Sequence, residues 1–177
     1  MSDGGPGIGI RPATEADVPL VLRFIRELAE YERLLHEVVA TEDRLRETLF
    51  GARPAAEVVI AEDAEEPVGF ALFFHNYSTF LAQPGIYLED LYVRPEARGR
   101  GVGRALLAHL ARLARERKCG RLEWWVLDWN ESAVRFYRSI GAQPMDDWTV
   151  FRLTGEDLSR LAGGSGGSCS VMADRTE

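Results

Sequence analysis

The sequence predicts a mixed α/β domain in which strands form a sheet and amphipathic helices cover it. Three observations carry that expectation. Strand-like and helix-like runs alternate along the chain, two apolar runs flank a short acidic turn as in a hairpin, and a glycine–arginine stretch joins a long strand-like run to a clear helical pattern. With 177 residues, 46% of them hydrophobic, the chain is long enough for one domain with a substantial core and short for two.

Residues 1–7 and 162–177 have the glycine- and serine-rich composition of flexible tails, which leaves 8–161 as the folded unit. Ile8-Gly-Ile-Arg11 reads as a short strand. Thr14, followed three residues later by Asp17, marks a helix start, and Val18, Val21, Leu22, Ile25, Leu28 and Ala29 continue it at helical spacing. A second helix begins near Thr41 and runs through Leu45 and Leu49. Val58–Glu62 and Val68–His75 read as two strands of a hairpin joined by the turn 63–67, and Ile86–Val93 as a third, longer strand. From Val102 to Arg117, Leu106, Leu107, Leu110, Ala111 and Ala114 line one helical face and basic residues the other. Leu122–Leu127 is expected as a central strand, Ser132–Ile140 as a short helix stopped by Gly141, and Thr149–Leu153 as a last strand.

Composition narrows the class of protein. No run approaches the roughly 18 to 20 consecutive apolar residues a membrane span needs, and the N-terminus lacks the layout of a secretion signal. A soluble cytoplasmic protein without a membrane partner is the expectation. The formal net charge of -7 argues against a general nucleic-acid binder and favours encounter with small cations. Cys119 and Cys169 lie far apart with no histidine pattern beside them, so neither a disulfide framework nor a metal site is expected. His36, His75 and His109 have no ligand-like spacing and are read as non-catalytic.

The stretch Arg98-Gly99-Arg100-Gly101-Val102-Gly103-Arg104 is the sharpest signal in the chain. Glycines let a backbone turn bring its N–H groups close to an anion, and the helix start adds an oriented positive dipole. Arginines at 94, 98, 100 and 104 add mobile positive charge, and Glu96 is the one acid from 94 to 104. The Walker phosphate loop would need Gly-Lys-Ser/Thr where this chain has Gly103-Arg104-Ala105. A dinucleotide fingerprint counted from Gly99 and Gly101 would need a third glycine where Arg104 stands. A third pattern, Arg/Gln-x-x-Gly-x-Gly/Ala between strand and helix, is met in full by Arg98, Gly101 and Gly103.

On these residues the chain resembles the GCN5-related N-acetyltransferase (GNAT) family, whose corresponding loop holds the pyrophosphate of acetyl-coenzyme A. The strand Leu88-Glu-Asp-Leu-Tyr-Val-Arg-Pro95 before the loop and Trp129-Asn-Glu-Ser-Ala-Val-Arg-Phe-Tyr-Arg-Ser-Ile-Gly141 after it match two further family signatures in order and spacing. The resemblance covers nearly all of Ile8–Leu161 and implies a mixed, mostly antiparallel central sheet flanked by helices, acetyl-CoA as co-substrate, no metal, and a homodimer. Ile10-Arg-Pro-Ala-Thr14, Glu27-Leu-Ala-Glu-Tyr-Glu32, Asn76-Tyr-Ser-Thr-Phe80, Tyr87-Leu-Glu-Asp90 and Trp129-Asn-Glu131 are most similar to the diamine (spermidine/spermine) and thialysine acetyltransferases. Transfer to a small di- or polyamine or a lysine-like amine is therefore expected, with a peptide or protein acetyltransferase and a non-catalytic acyl-CoA sensor as the competing readings.

An alkyl amine is about one part in a thousand neutral at pH 7, a deficit of about 4 kcal/mol that the site must offset by accepting a cation and removing its proton. By resemblance Glu89 binds the amine and relays its proton through water, and Tyr137 is the general acid for the departing thiolate. In the plainer reading Glu89 is a solvated strand residue and Tyr137 is half of a Phe136–Tyr137 core pair. Strand alternation turns Asp90 to the face opposite Glu89. Backbone groups of Leu91, Tyr92 and Val93 are expected to pair with the pantetheine arm as an added strand, and Arg98, Gly99, Arg100, Gly101, Val102, Gly103 and Arg104 to hold the pyrophosphate. Asn130, Glu131, Ser132 and Ala133 would touch the cofactor from the other side, with Asn130 also suited to cap a helix. Tyr31, Glu32, Glu123, Trp124 and Trp125 are the remaining candidate amine contacts, one tryptophan at most facing ligand. Phe80 stands where the relatives commonly carry tryptophan.

Overall fold

The computed structural model describes residues 7–163, so the expected tails, apart from Gly7, Ala162 and Gly163, lie outside the described residues. The described residues group into two compact units, 7–127 and 128–163. The first holds β1 (Ile8–Pro12), α1 (Val18–Tyr31), α2 (Glu42–Phe50), β2 (Glu57–Asp63), β3 (Glu66–Ser78), β4 (Gln83–Val93), α3 (Val102–Glu116) and β5 (Leu122–Trp124). These strands form one sheet in the order β1-β2-β3-β4-β5, antiparallel through β4 and parallel between β4 and β5. The mixed, mostly antiparallel sheet is the expected one.

Each element follows from local chemistry. At the start of α1, an Asp17 carboxylate oxygen accepts from the Thr14 amide at 2.7 Å and from its hydroxyl at 2.9 Å, closing the anticipated cap. The Arg11 guanidinium donates to Asp17 and, at 2.8 Å, to Glu62, which fastens β1 to β2 and to the head of α1 and holds the Asp17 carboxyl well below its usual range. Thr41 caps α2 by accepting from the Arg44 amide.

The pairing register sorts the sheet into two faces. Val58, Phe70 and Tyr92 share a face with Val18, Val21, Leu22 and Phe24 of α1 and Leu45 and Leu49 of α2 packed on it, and the Phe24 and Phe70 rings stack 5.4 Å apart. Phe73, Ile86 and Leu88 lie on the other face, where α3 packs with Leu106 and Leu110 fully buried. Arg117, just past the end of α3, reaches across this face to Glu57 and the Phe73 ring.

Helix α3 ends with Lys118 at φ 56°, the left-handed position, while the Cys119 amide donates back to the Ala114 carbonyl at 2.8 Å. A residue with a Cβ is strained there. Lys118→Gly is expected to stabilise the protein by about 1 kcal/mol, read as a rise of roughly 2–4 °C in melting temperature; an unchanged or lower midpoint would contradict this account of the helix end.

Two strand expectations need correction. The strand predicted over 122–127 is only Leu122–Trp124 and ends the described sheet instead of lying at its centre, because its pairing with β4 stops at Leu88–Trp124. The segment 149–153 is irregular: β-prone residues gain no ladder hydrogen bonds without a neighbouring strand, and none pairs with it among the described residues. The second unit contains α4 (Glu131–Ser139) and α5 (Gly155–Leu161). Among the described residues no helix is long and apolar enough to cross a membrane.

Candidate active site

The site is organised by a bulge in β4. Phe73 pairs with Leu88 and Leu72 with Asp90, so Glu89 is an extra residue with no cross-strand partner. The β4–β5 ladder runs only from Ile86–Leu122 to Leu88–Trp124 and stops where the bulge begins. From Glu89 to Val93, then, β4 keeps β3 on one side and, among the described residues, pairs with no strand on the other, which leaves an open strand edge along the predicted Leu91, Tyr92 and Val93.

Beyond Val93 the chain makes a single 3-10 turn, Pro95–Ala97, and enters the glycine loop. Gly99 and Gly101 adopt φ 74° and 85°, the left-handed region, and no atom lies within 4 Å of where a Cβ would stand on either. At Gly103 such a Cβ would meet only Val93 Cγ2, at 3.9 Å. The first hydrogen bond closing onto the helix runs from the Ala105 amide to the Gly101 carbonyl at 2.9 Å, so the amides of Val102, Gly103 and Arg104 precede the helical ladder. An open loop of donors at a helix start suits a pyrophosphate, and the strand edge before it suits a peptide-like arm.

The loop arginines are less mobile than the sequence suggests. Arg94 donates to Glu27 at 3.3 Å and packs over the Phe24 ring, and Arg100 pairs with Asp63. The Arg98 guanidinium lies over the rings of Tyr31 and Tyr92 and donates to the Val93 carbonyl at 2.9 Å. Arg104 is exposed on the first turn of α3. Neutral surroundings would have left all four free; the neighbouring acids and rings hold three of them.

Carboxylates gather beside the open edge. Glu89 is exposed, whereas Asp90 is largely enclosed and its carboxyl is pushed up to about 6, first by burial and then by the negative charges of Glu89 and Glu32. Glu32, just past the end of α1, is also raised by burial. Both neighbouring acids thus disfavour ionisation of Asp90, and a bound cation would relieve it. The bulge lies between Leu88 and Asp90, and Glu89 and Asp90 differ in surroundings, the first exposed and the second enclosed. A bulge leaves no mark in composition; the signal available was an acidic pair inside an apolar strand.

The raised Asp90 carboxyl has a consequence for stability. Its folded-state value lies above the ordinary 3.8, so the folded protein holds more protons than the unfolded one between about pH 4 and pH 6, and stability falls as pH rises through that window. Asp90→Asn is expected to raise stability at pH 7.5 by on the order of 2 kcal/mol, with the gain disappearing near pH 4. Chemical denaturation at both pH values checks this, and a variant that gained equally at both would contradict the burial argument.

The other candidates on this unit differ in readiness. Glu123 sits on β5 opposite Tyr87, and its Oε2 accepts from Asn76 at 2.8 Å and faces Arg121 Nε at 2.8 Å, so its charge is already met within the protein. Trp124 is half-buried in β5, while Trp125 is 57% exposed and meets the Tyr87 ring edge-on at 5.8 Å. Tyr31 ends α1 partly exposed, and Phe80 stands 94% exposed in the β3–β4 turn.

In the second unit Asn130 caps α4, its side-chain oxygen accepting from the Ala133 amide at 3.2 Å, and Glu131 and Ser132 form the exposed first turn. Gly141 at φ 90° ends the helix: the Ala142 amide donates to the Tyr137 carbonyl and the Gly141 amide to the Arg138 carbonyl, each at 3.1 Å. The asparagine and the glycine of the sequence signature are thus the two ends of the helix that carries Tyr137. That residue is half-buried, its ring 5.5 Å from Phe136.

Known proteins show the family. Residues 23–142 match the model of the acetyltransferase (GNAT) family. Thialysine N-epsilon-acetyltransferase of Bos taurus is 41% identical over 165 residues, covering 87% of this chain and 96% of that protein. The L-ornithine N5-acetyltransferase NATA1 of Arabidopsis thaliana is 35% identical, covering 86% of each. Among solved structures, an integron cassette protein from V. cholerae superposes with a TM-score of 0.75 at 28% identity, over 89% of this chain and 99% of the other. On the family match across most of the chain and the acetyltransferases among its relatives, the chain belongs to the GNAT family and is an N-acetyltransferase.

Proposed function

We propose that this enzyme acetylates the side-chain amine of a small lysine-like amino acid or a short di- or polyamine. The observation that carries the reading is the placement of Glu89, Asp90 and Glu32 beside the open edge of β4: a site for a cation next to a place for an acyl carrier. The curated relatives named for thialysine and ornithine support it, since both compounds are amino acids that carry a second, side-chain amine.

Acetyl-CoA supplies the acetyl group as a thioester. The open side of the Leu91, Tyr92 and Val93 stretch offers backbone groups to its pantetheine arm, and the amides from Gly99 to Arg104, with the exposed Arg104 guanidinium, take the pyrophosphate. Asn130, Glu131, Ser132 and Ala133 complete the cofactor contacts. Glu89, exposed to water and backed by Asp90 and Glu32, draws the ammonium form of the substrate and passes its proton to solvent. Tyr31 and Trp125 offer aromatic faces to the rest of the cation, Trp124 supports that wall from β5, and Glu123, tied to Arg121, sets its far limit. Tyr137 holds the proton that the leaving thiolate takes up. Attack by the amine is direct, without a covalent enzyme intermediate.

We infer further that 8–161 act as one catalytic domain, which the family match across 23–142 supports, and that the enzyme works as a cytoplasmic homodimer without nucleic-acid or membrane partners. Sedimentation tests the dimer. The substrate class is tested by comparing kcat/KM for thialysine, ornithine and spermidine with that for a lysine-containing peptide. The small amines are expected to be preferred at least tenfold, and a preference for the peptide would overturn the proposal.

A further inference from the structure

Two arginines leave β4, and both close on the same helix. Arg94 packs over Phe24 at 5.0 Å and donates to Glu27; four residues later Arg98 lies 4.7 Å over Tyr31. Phe24, Glu27 and Tyr31 stand at i, i+3 and i+7 and so form one stripe along α1. The end of α1 is thereby gripped by the short segment that becomes the glycine loop.

Arg98 is the more informative of the two. Its guanidinium spans the Tyr31 ring at 4.7 Å and the Tyr92 ring at 5.9 Å, and its Nε donates to the Val93 carbonyl at 2.9 Å. Three elements are fixed by one planar cation: the last residue of α1, the end of β4, and the loop to which Arg98 itself belongs. Arg94 and Arg100 pair with carboxylates, whereas Arg98 is held by π-faces and a carbonyl, so its positive charge is not cancelled by a contacting acid among the described residues. Next along the chain from Tyr31 is Glu32, whose negative charge acts on Asp90. A shift of the loop therefore reaches the acidic side of the site through two adjacent residues.

We propose that Arg98 is a positioning residue that couples the two halves of the site: gripped by Tyr31 and Tyr92, it holds the end of α1, and Glu32 with it, in register with the cofactor loop. The proposal rests on the reading above, in which the loop takes the pyrophosphate and the acids take the amine. An anion settling on Gly99–Arg104 favours the held position of Arg98, and the held position favours cation binding beside Glu32 and Asp90. By thermodynamic reciprocity each ligand then tightens the other by the same factor.

Calorimetric titration of the full chain with thialysine, with and without saturating coenzyme A, measures that factor free of turnover. In the unmodified enzyme coenzyme A is expected to tighten amine binding about fivefold or more. Tyr31→Leu and Arg98→Lys should each reduce the factor to about one, since the first removes the ring and the second the planar guanidinium. Tyr31→Phe should retain it. The ratio is the readout because a direct contact between Tyr31 and the amine would change both affinities and leave their quotient intact. A factor near one in the unmodified enzyme, a factor preserved in Tyr31→Leu or Arg98→Lys, or a factor lost in Tyr31→Phe would overturn the proposal; thermal melts confirm that each variant is folded. Failure of the underlying reading looks different: coenzyme A would not bind at all, or would bind a Gly101→Val variant as well as the original.

Discussion

Tyr137→Phe is expected to lower kcat about 100-fold or more while leaving the KM for acetyl-CoA within about twofold. The substitution removes one hydroxyl and keeps the ring that lies 5.5 Å from Phe136, and the ends of α4 are fixed by Asn130 and by the amides of Gly141 and Ala142, none of which changes. The loss should therefore appear in turnover and not in folding. If the hydroxyl protonates the leaving thiolate, the deficit shrinks for an acyl donor whose thiol is more acidic and needs the proton less. Steady-state kinetics with the two donors check both statements, and a variant with the original kcat would remove Tyr137 from the mechanism.

Glu89→Gln should depress kcat/KM for the amine by about 100-fold at pH 7, and the deficit should narrow as the pH approaches the amine's own pKa near 10. The sign follows from the substrate: at neutral pH nearly all of it is ammonium, which needs both an anion to receive it and a route for its proton. Near pH 10 a substantial fraction is already neutral. The bulge leaves Glu89 unpaired and exposed at the head of the open strand edge, which is where such a carboxylate must stand. A deficit of constant size across the pH range would mean that Glu89 serves binding geometry alone.

The residues whose role depends on local chain chemistry were legible in the sequence. Gly99 and Gly101 adopt the left-handed backbone that the loop pattern implied, Asn130 and Gly141 bound their helix, and Thr14 with Asp17 opens α1. Alternation and apolar runs also placed β2, β3 and β4 close to their observed limits. What was not legible depends on partners distant in sequence. The early end of β5 falls where β4 bulges, more than thirty residues earlier, and a bulge leaves no mark in composition. Arg94, Arg98 and Arg100 read as free charge, yet Glu27, Tyr31 and Asp63 hold them from elsewhere in the fold. Glu123 likewise read as an available carboxylate until Asn76 and Arg121 were seen to occupy it.

Release of free coenzyme A thiol shows whether the loop, the open edge and the acids serve acetyl transfer to a small amine. With acetyl-CoA and a panel of thialysine, ornithine, lysine, putrescine and spermidine, at least one amine should release thiol in a one-to-one ratio with N-acetylated product. Absence of release with every amine in the panel, from folded protein that binds acetyl-CoA, would contradict the account.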